Sequence, residues 1–319
     1  MSHLAFVAPP FRGHLDPMLA LAGTLRGRGH RVTLFGIPDV QPVAVGGGCD
    51  AVALGERSHP PGTLATLSNR LAAPGGLGLF RVMADMTAMT RMLCDALPAA
   101  CRAEGVDAIV SDQLEPAGAL VAAHLGLPSI TVANALPIHR EPGVPPPFTS
   151  WRYDPTARGL KRNRGGYRVS DALMRPVTAN IAREAARLGV AGRRSLDACL
   201  SSLAEITQLV PALDFPRRHL GGHVHPCGPL RVPMAAGAEI DLPDDGRPLV
   251  FASLGSLQGG RAGLFRRIAQ ACAALDLSLV IAHGGRLDAR EVARLPGHPI
   301  VRAFVPQRSL LRRVDLLVT

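Results

Sequence analysis

Leu4-Ala-Phe-Val-Ala8, then Pro9-Pro-Phe-Arg-Gly-His14, then Asp16-Pro17 at the head of an apolar helical run to Gly27, and finally Arg31 to Phe35: this stretch reads strand, short loop, helix, strand. Asp16 followed by Pro17 is a good N-cap and first helical residue, which places His14 just outside the start of the helix. The same residue lies beyond the carboxyl end of the first strand, where open parallel α/β sheets put their ligands. The positive end of the helix opposes a charged ring there, leaving a neutral imidazole able to accept a proton. A loop histidine in isolation is most simply a surface or packing group, so the rest of the chain has to supply its chemical context.

Working outward, the alternation of strand and helix continues to about Phe215 in the manner of a doubly wound sheet. Asp107-Ala-Ile-Val-Ser111 is a strand leading into Asp112, Pro116 to His124 a helix, and Ser129 to Val132 a strand. Arg140 to Gly166 reads as a long loop, and helical patterns return over Ser170 to Arg187 and Ser195 to Leu203. A Pro-, Gly- and Asp-rich stretch, 226–248, reads as a linker between an N-terminal domain (1–225) and a second α/β run (249–319). In that run Leu249 to Ser253 is a strand, Gly255 to Gly260 a loop, and Ala262 to Leu275 a helix. Ser278 to Ala282 and Ile300 to Val305 are strands, and Asp288 to Arg294 and Ser309 to Arg313 short helices. Leu316-Leu-Val-Thr319 starts a further strand, and a sheet of this size ending there reads as incomplete, so the sequence is expected to be truncated.

The 319 residues carry a formal net charge of +10, nearly all of it from arginine, since Lys161 is the lone lysine. That bias is weak evidence for nucleic acid. Six cysteines lie scattered without a C-x-x-C pair, and no signal peptide precedes them, which points to the reducing cytoplasm. Ala117 to Ile138 is long and free of Asp, Glu, Lys and Arg, but His124, Gly126, Pro128 and Asn134 interrupt it, so no transmembrane helix is expected. Neither G-x-G-x-x-G after the first strand nor G-x-x-x-x-G-K-[ST] occurs, which disfavours dinucleotide oxidoreduction and P-loop hydrolysis. No D-x-D is present. His219, His223, His225 and Cys227 fall in a loop with no element to fix their geometry, so no metal site is expected.

Asp112 follows its strand as His14 follows the first, so both side chains can meet at one sheet edge, with the carboxylate orienting the imidazole. No G-x-S-x-G elbow accompanies them. A base without an enzyme nucleophile suits activation of a substrate hydroxyl. Farther on, Phe251-Ala-Ser-Leu-Gly-Ser256 runs from a strand into a small-residue turn that can offer backbone N–H groups to a diphosphate. Phe304-Val-Pro-Gln307 ends another strand with an aromatic face and an amide suited to a nucleobase. The basic segment Arg152, Arg158, Lys161, Arg162, Arg164 and Arg168, with Phe148, Trp151, Tyr153 and Tyr167, reads as a solvated loop. It becomes a candidate for membrane contact if the substrate is a lipid; RNA binding lacks any recognisable module.

Together Phe6-Val-Ala-Pro-Pro10 with His14, Asp112-Gln-Leu-Glu-Pro-Ala-Gly118, Ala135-Leu-Pro-Ile-His-Arg-Glu-Pro-Gly143, Val210-Pro-Ala-Leu-Asp-Phe-Pro-Arg-Arg218 and Phe251-Ala-Ser-Leu-Gly-Ser-Leu-Gln-Gly259 resemble the family-1 glycosyltransferases. The last two segments are specific to the carotenoid branch that glucosylates zeaxanthin. The resemblance implies a GT-B fold, two facing Rossmann-like domains of which the second is incomplete here. It implies that His14, assisted by Asp112, deprotonates a ring hydroxyl of the carotenoid, which attacks UDP-glucose with inversion. Ser253, Gly255 and Ser256 would line the diphosphate, and Phe304, Val305 and Gln307 would hold the uracil; plant relatives have Trp where Phe304 stands. UDP-glucose is then a donor substrate, with no metal or separate cofactor. The acceptor would be drawn from a membrane through a cleft near 140–166, by a cytoplasmic protein in peripheral contact with the inner face. The family's His-x-Gly-x-x-Thr segment for the diphosphate, with an acidic residue plus Gln for the sugar hydroxyls, would follow Thr319 and is not in the sequence, so this form is expected to bind the donor poorly or not at all and to be catalytically impaired or inactive. Two other readings are a glycosyltransferase for a macrolide or sterol and a non-catalytic protein that binds an apolar ligand.

Overall fold

The computed structural model describes residues 1–72, 78–218, 220–231, 240–242 and 245–319, without the side chain of Ser256. Its first strand, β1 (His3–Val7), is buried along its whole length, as a strand covered on both faces must be. There follow α1 (Arg12–Gly27), β2 (Arg31–Gly36), α2 (Gln41–Gly46), β3 (Asp50–Ala53), α3 (Thr63–Ala72) and α4 (Gly78–Glu104). Next come β4 (Ala108–Asp112), α5 (Pro116–Leu125), β5 (Ser129–Ala133), α6 (Ala157–Leu173), α7 (Arg175–Arg187), β6 (Glu205–Thr207) and β7 (Val224–Pro226). The remainder is β8 (Leu249–Ser253), α8 (Gly255–Gln258), α9 (Ala262–Ala274), β9 (Ser278–Ala282), α10 (Ala289–Ala293), β10 (Ile300–Arg302), α11 (Gln307–Leu310) and β11 (Leu316–Val318).

Two parallel sheets organise these elements, one of seven strands in the order β3-β2-β1-β4-β5-β6-β7 and one of four in the order β10-β9-β8-β11. The chain divides into two compact units, residues 1–67 with 75–233 and residues 68–74 with 234–319. In the first, β1 pairs with β2 on one side and β4 on the other. The winding direction therefore reverses between β1 and β4, which opens a crevice at their carboxyl ends. Phe6, Phe35, Leu15, Met18, Leu93, Leu97 and Leu120 are fully buried around this sheet. In the second unit, Phe265 and Ile281 pack on one face and Phe251, Val280 and Leu310 on the other.

Several local expectations are corrected. Helix α1 begins at Arg12 with Phe11 as its cap, so His14 lies in the first turn rather than before it, and Pro17 lies inside the helix. The amides of His14 and Leu15 already bond the Phe11 carbonyl, and Asp16 pairs with Arg12 at 3.1 Å instead of capping. A proline one turn into a helix deprives only the Gly13 carbonyl of its donor, a modest loss so near the start. The stretch 140–166 is not all loop: α6 starts at Ala157 because the Thr156 side chain accepts from the Gly159 amide, an ordinary N-cap. Ser195 to Leu203 forms only a 3-10 turn at Asp197–Cys199. Ser201 bonds Thr131 and the Ser129 carbonyl, which holds that segment extended along β5. Gly255 to Gln258 is a short helix rather than a loop, and the last helix is Gln307–Leu310.

Candidate active site

The crevice between β1 and β4 is where the two sequence-picked residues meet. Nδ1 of His14 lies 2.7 Å from Oδ2 of Asp112, with the histidine side chain 20% exposed and the carboxylate fully buried. A bond to a carboxylate requires that Nδ1 carry the hydrogen, so Nε2 is the nitrogen with the lone pair. Asp112 is the last residue of β4. Its Oδ1 accepts from the Leu114 amide at 2.8 Å, and its Oδ2 accepts a second bond, from Nδ2 of Asn134, also at 2.8 Å.

Asn134 and its own partner were not legible as site residues. Asn134 follows β5 directly, and its Oδ1 accepts from Nε2 of Gln208 at 3.1 Å. Gln208 follows β6, and its Oε1 accepts from the Leu230 amide at 2.8 Å. Because Ala133 of β5 is in register with Thr207 of β6, the two amides stand side by side at the carboxyl edge. A continuous chain of bonds thus runs from His14 across β4, β5 and β6. Such a fully satisfied network in a low-dielectric setting fixes the rotamer of every member.

Gln113 ties the dyad to the loop beyond β5. Its Nε2 donates to the Leu136 carbonyl and its Oε1 accepts from the Ile138 amide. Ile138 in turn lines a cavity of about 170 Å³, together with Phe148, Tyr167, Met174, Val177 and Leu196. That lining is mostly apolar, with Arg140, Ser170, Thr178, Ser195 and Asp197 as polar members. The volume is below the roughly 300 Å³ at which small-molecule sites begin, enough for an end of a long apolar ligand. Glu115, three residues after Asp112, is fully buried and caps α5 through the Ala117 amide. Desolvation pushes its carboxyl up to about 7, against the opposing bonds from Ala117 and Thr90.

A second histidine–carboxylate pair lies in the same unit. Nε2 of His139 is 2.8 Å from Oε2 of Glu205, whose side chain is fully buried, while the other oxygen of Glu205 has no hydrogen-bond partner. The His139 carbonyl accepts from Arg217 at 3.0 Å, and Arg217 also binds Asp214. This cluster holds the loop after β5 against the segment after β6.

The remaining sequence-picked residues belong to the second unit. Ser253 ends β8, buried, with its Oγ 3.5 Å from the Gly255 amide. Gly255 takes a left-handed φ of 71°, a conformation suited to glycine. The side chain of Ser256 lies outside the described residues. Phe304 is exposed beyond β10, Val305 packs partly buried against the cluster that includes Phe251 and Leu310, and Gln307 is exposed at the start of α11. Between these two groups, at the end of β9, His283 uses Nδ1 to accept from the Leu287 amide; its ring was not singled out from sequence. His219 lies outside the described residues, and no group of three or more His, Cys, Asp or Glu suited to a metal occurs among the described ones.

No protein-family model matches the chain. Two relatives described as zeaxanthin glucosyltransferases, from Pantoea ananas and Pseudescherichia vulneris, are each 40% identical over the whole chain, which spans 75% and 76% of their lengths. Among solved structures, the glycosyltransferase of kitacinnamycin superposes with a TM-score of 0.73 at 23% identity, covering 99% of this chain and 74% of that one. The glycosyltransferase VinC in complex with dTDP superposes at 0.59 and 23% identity, covering 99% and 75%. The fold, a pair of Rossmann-like parallel-sheet units, is thus that of glycosyltransferases.

Proposed function

The chain belongs to the zeaxanthin glucosyltransferase family, and from that premise we propose that it transfers glucose from UDP-glucose to a ring hydroxyl of zeaxanthin, with inversion and with His14 as the base. The full-length 40% identity to two zeaxanthin glucosyltransferases supports the acceptor. The 2.7 Å contact of His14 with Asp112 is the single observation that carries the mechanism. Nε2 takes the hydroxyl proton as the oxygen forms its bond to the anomeric carbon. The bond from that carbon to the diphosphate breaks, and UDP leaves with the electron pair. Asp112 holds the ring in the required tautomer and stabilises the imidazolium that forms.

For the donor, Ser253, Gly255 and Ser256 are assigned to the diphosphate and Phe304, Val305 and Gln307 to the base. They lie at the carboxyl ends of β8 and β10, the usual edge for nucleotides in such sheets, and the fold relative VinC is a dTDP complex. The acceptor end is assigned to the cavity beside Ile138. A carotenoid resides in membrane, so the protein is assigned to the cytoplasmic face as a peripheral enzyme; no described helix is long and apolar enough to cross a membrane.

Incubating the full chain with UDP-glucose and micellar zeaxanthin, with mass-spectrometric detection, tests the proposal. The expected products are the mono- and diglucoside, and His14→Ala abolishes them while leaving zeaxanthin binding intact. Glucosylation of a macrolide or sterol but not of zeaxanthin overturns the acceptor. Zeaxanthin binding with no turnover in either form overturns catalysis in favour of a binding role.

A further inference from the structure

One basic residue of helix α6 is engaged with the body: the guanidinium of Arg162 lies 5.0 Å over the ring of Trp151 and donates to the Arg152 carbonyl. Arg140, from the preceding loop, lies 5.2 Å over Tyr167 and pairs with Asp171 at 2.7 Å. Lys161, Arg164 and Arg168 are exposed, and among the described residues no carboxylate lies within ion-pair distance of them. At about 100° per residue these three fall within roughly 60° of one another on the helix. Gly159, Asn163 and Gly166 form the buried face on the other side.

Val169, 59% exposed, stands about 80° round the helix from Lys161, next to this cationic stripe; Leu173 (44% exposed) lies roughly 120° or more from the three cations, towards the buried face. Phe148 lines the apolar cavity together with Tyr167, Ser170 and Met174 of the α6 region. Cations next to an exposed apolar side chain on one helix match an anionic lipid surface, where phosphates meet the acyl boundary. Single-stranded nucleic acid would need free aromatic faces to stack its bases. Trp151 and Tyr167 are covered by arginines, and Tyr153 stacks on Phe215 with centroids 6.1 Å apart.

We propose that the outer face of α6 is a docking surface for anionic phospholipid, with Lys161, Arg164 and Arg168 binding headgroup phosphates and Val169 entering the interface. This deepens the proposed function and rests on it only for the lipid-borne acceptor.

Flotation of the full chain with vesicles of phosphatidylcholine, with and without about 30% phosphatidylglycerol, tests the surface. Binding is expected only with the anionic lipid, and to weaken steeply with salt. Lys161→Gln with Arg164→Gln and Arg168→Gln should lower binding about 100-fold. Arg266→Gln with Arg290→Gln and Arg294→Gln, which removes the same charge from the second unit, should leave most of it. Equal loss in the two triple variants, or equal binding to both vesicle types, overturns the proposal, as does full displacement by a short single-stranded RNA. Glucosylation of zeaxanthin in detergent micelles by the α6 variant reports separately on the catalytic reading, because it bypasses the vesicle.

Discussion

Asn134 and His14 share one oxygen of Asp112: Oδ2 receives the imidazole Nδ1 at 2.7 Å and the amide Nδ2 at 2.8 Å. The amide thereby fixes the direction of the lone pair that meets the ring. Asn134→Ala is expected to lower kcat for zeaxanthin glucosylation about 10-fold with little change in KM, and Gln208→Ala a few-fold. Asp112→Asn, which loses the carboxylate itself, should cost on the order of 10² to 10⁴. Steady-state kinetics checks the ranking; parent-like kcat in Asn134→Ala and Gln208→Ala would remove both from the relay.

Glu115 should make stability depend on pH. Its carboxyl stands at about 7 in the folded protein against 4.5 for the free group, so the folded state holds a proton that the unfolded chain has lost between these values. Its contribution is complete below about pH 4.5 and is lost as pH rises through 7, a loss on the order of 3 kcal/mol. Glu115→Gln removes that slope. Urea unfolding should show the variant more stable than the parent at pH 8 and nearly equal at pH 4.5.

In the His139–Glu205 pair the carboxylate is fully buried, with one unpartnered oxygen, and the histidine partly exposed. His139→Ala leaves a lone carboxylate in the interior and should cost about 3 kcal/mol or more. Adding Glu205→Leu removes the stranded charge and should recover much of that loss. A double-mutant cycle by thermal unfolding measures the coupling.

In the second unit, a Cβ on Gly259 would run into the carbonyl of His283. That close approach seats the end of α8 against the end of β9. Gly259→Ala should therefore destabilise this unit by about 2 kcal/mol or more, seen as faster amide exchange in β8 and β9 with β1 and β4 unaffected.

The meeting of His14 with Asp112 was legible because strand ends in a parallel sheet collect on one edge, and apolar runs such as Leu4 to Val7 mark the strands. The start of α1 was not, because Asp16-Pro17 is a strong local signal that the chain overrides by turning helical at Arg12. Arg140 to Gly166 reads as loop from its prolines and arginines, yet Thr156 starts a helix whose buried side is only Gly159, Asn163 and Gly166, too thin a stripe to register as amphipathic. Asn134 and Gln208 were invisible for another reason. Their contact comes from pairing between β5 and β6 across 71 intervening residues, and neither amide lies in a motif.

The excursion from β5 to β6 leaves the carboxyl edge of the sheet at Asn134 and returns at the amino end of β6, and Asn134 is bonded to Gln208, which follows β6. The excursion carries the cavity and α6, while His14 and Asp112 belong to the earlier elements α1 and β4. It is therefore a separate cassette tied down at its exit by the Asn134–Gln208 bond, with α7 resting on α4. Exchanging 135–204 for the matching block of a relative should carry acceptor preference with it and leave the proton-transfer machinery running.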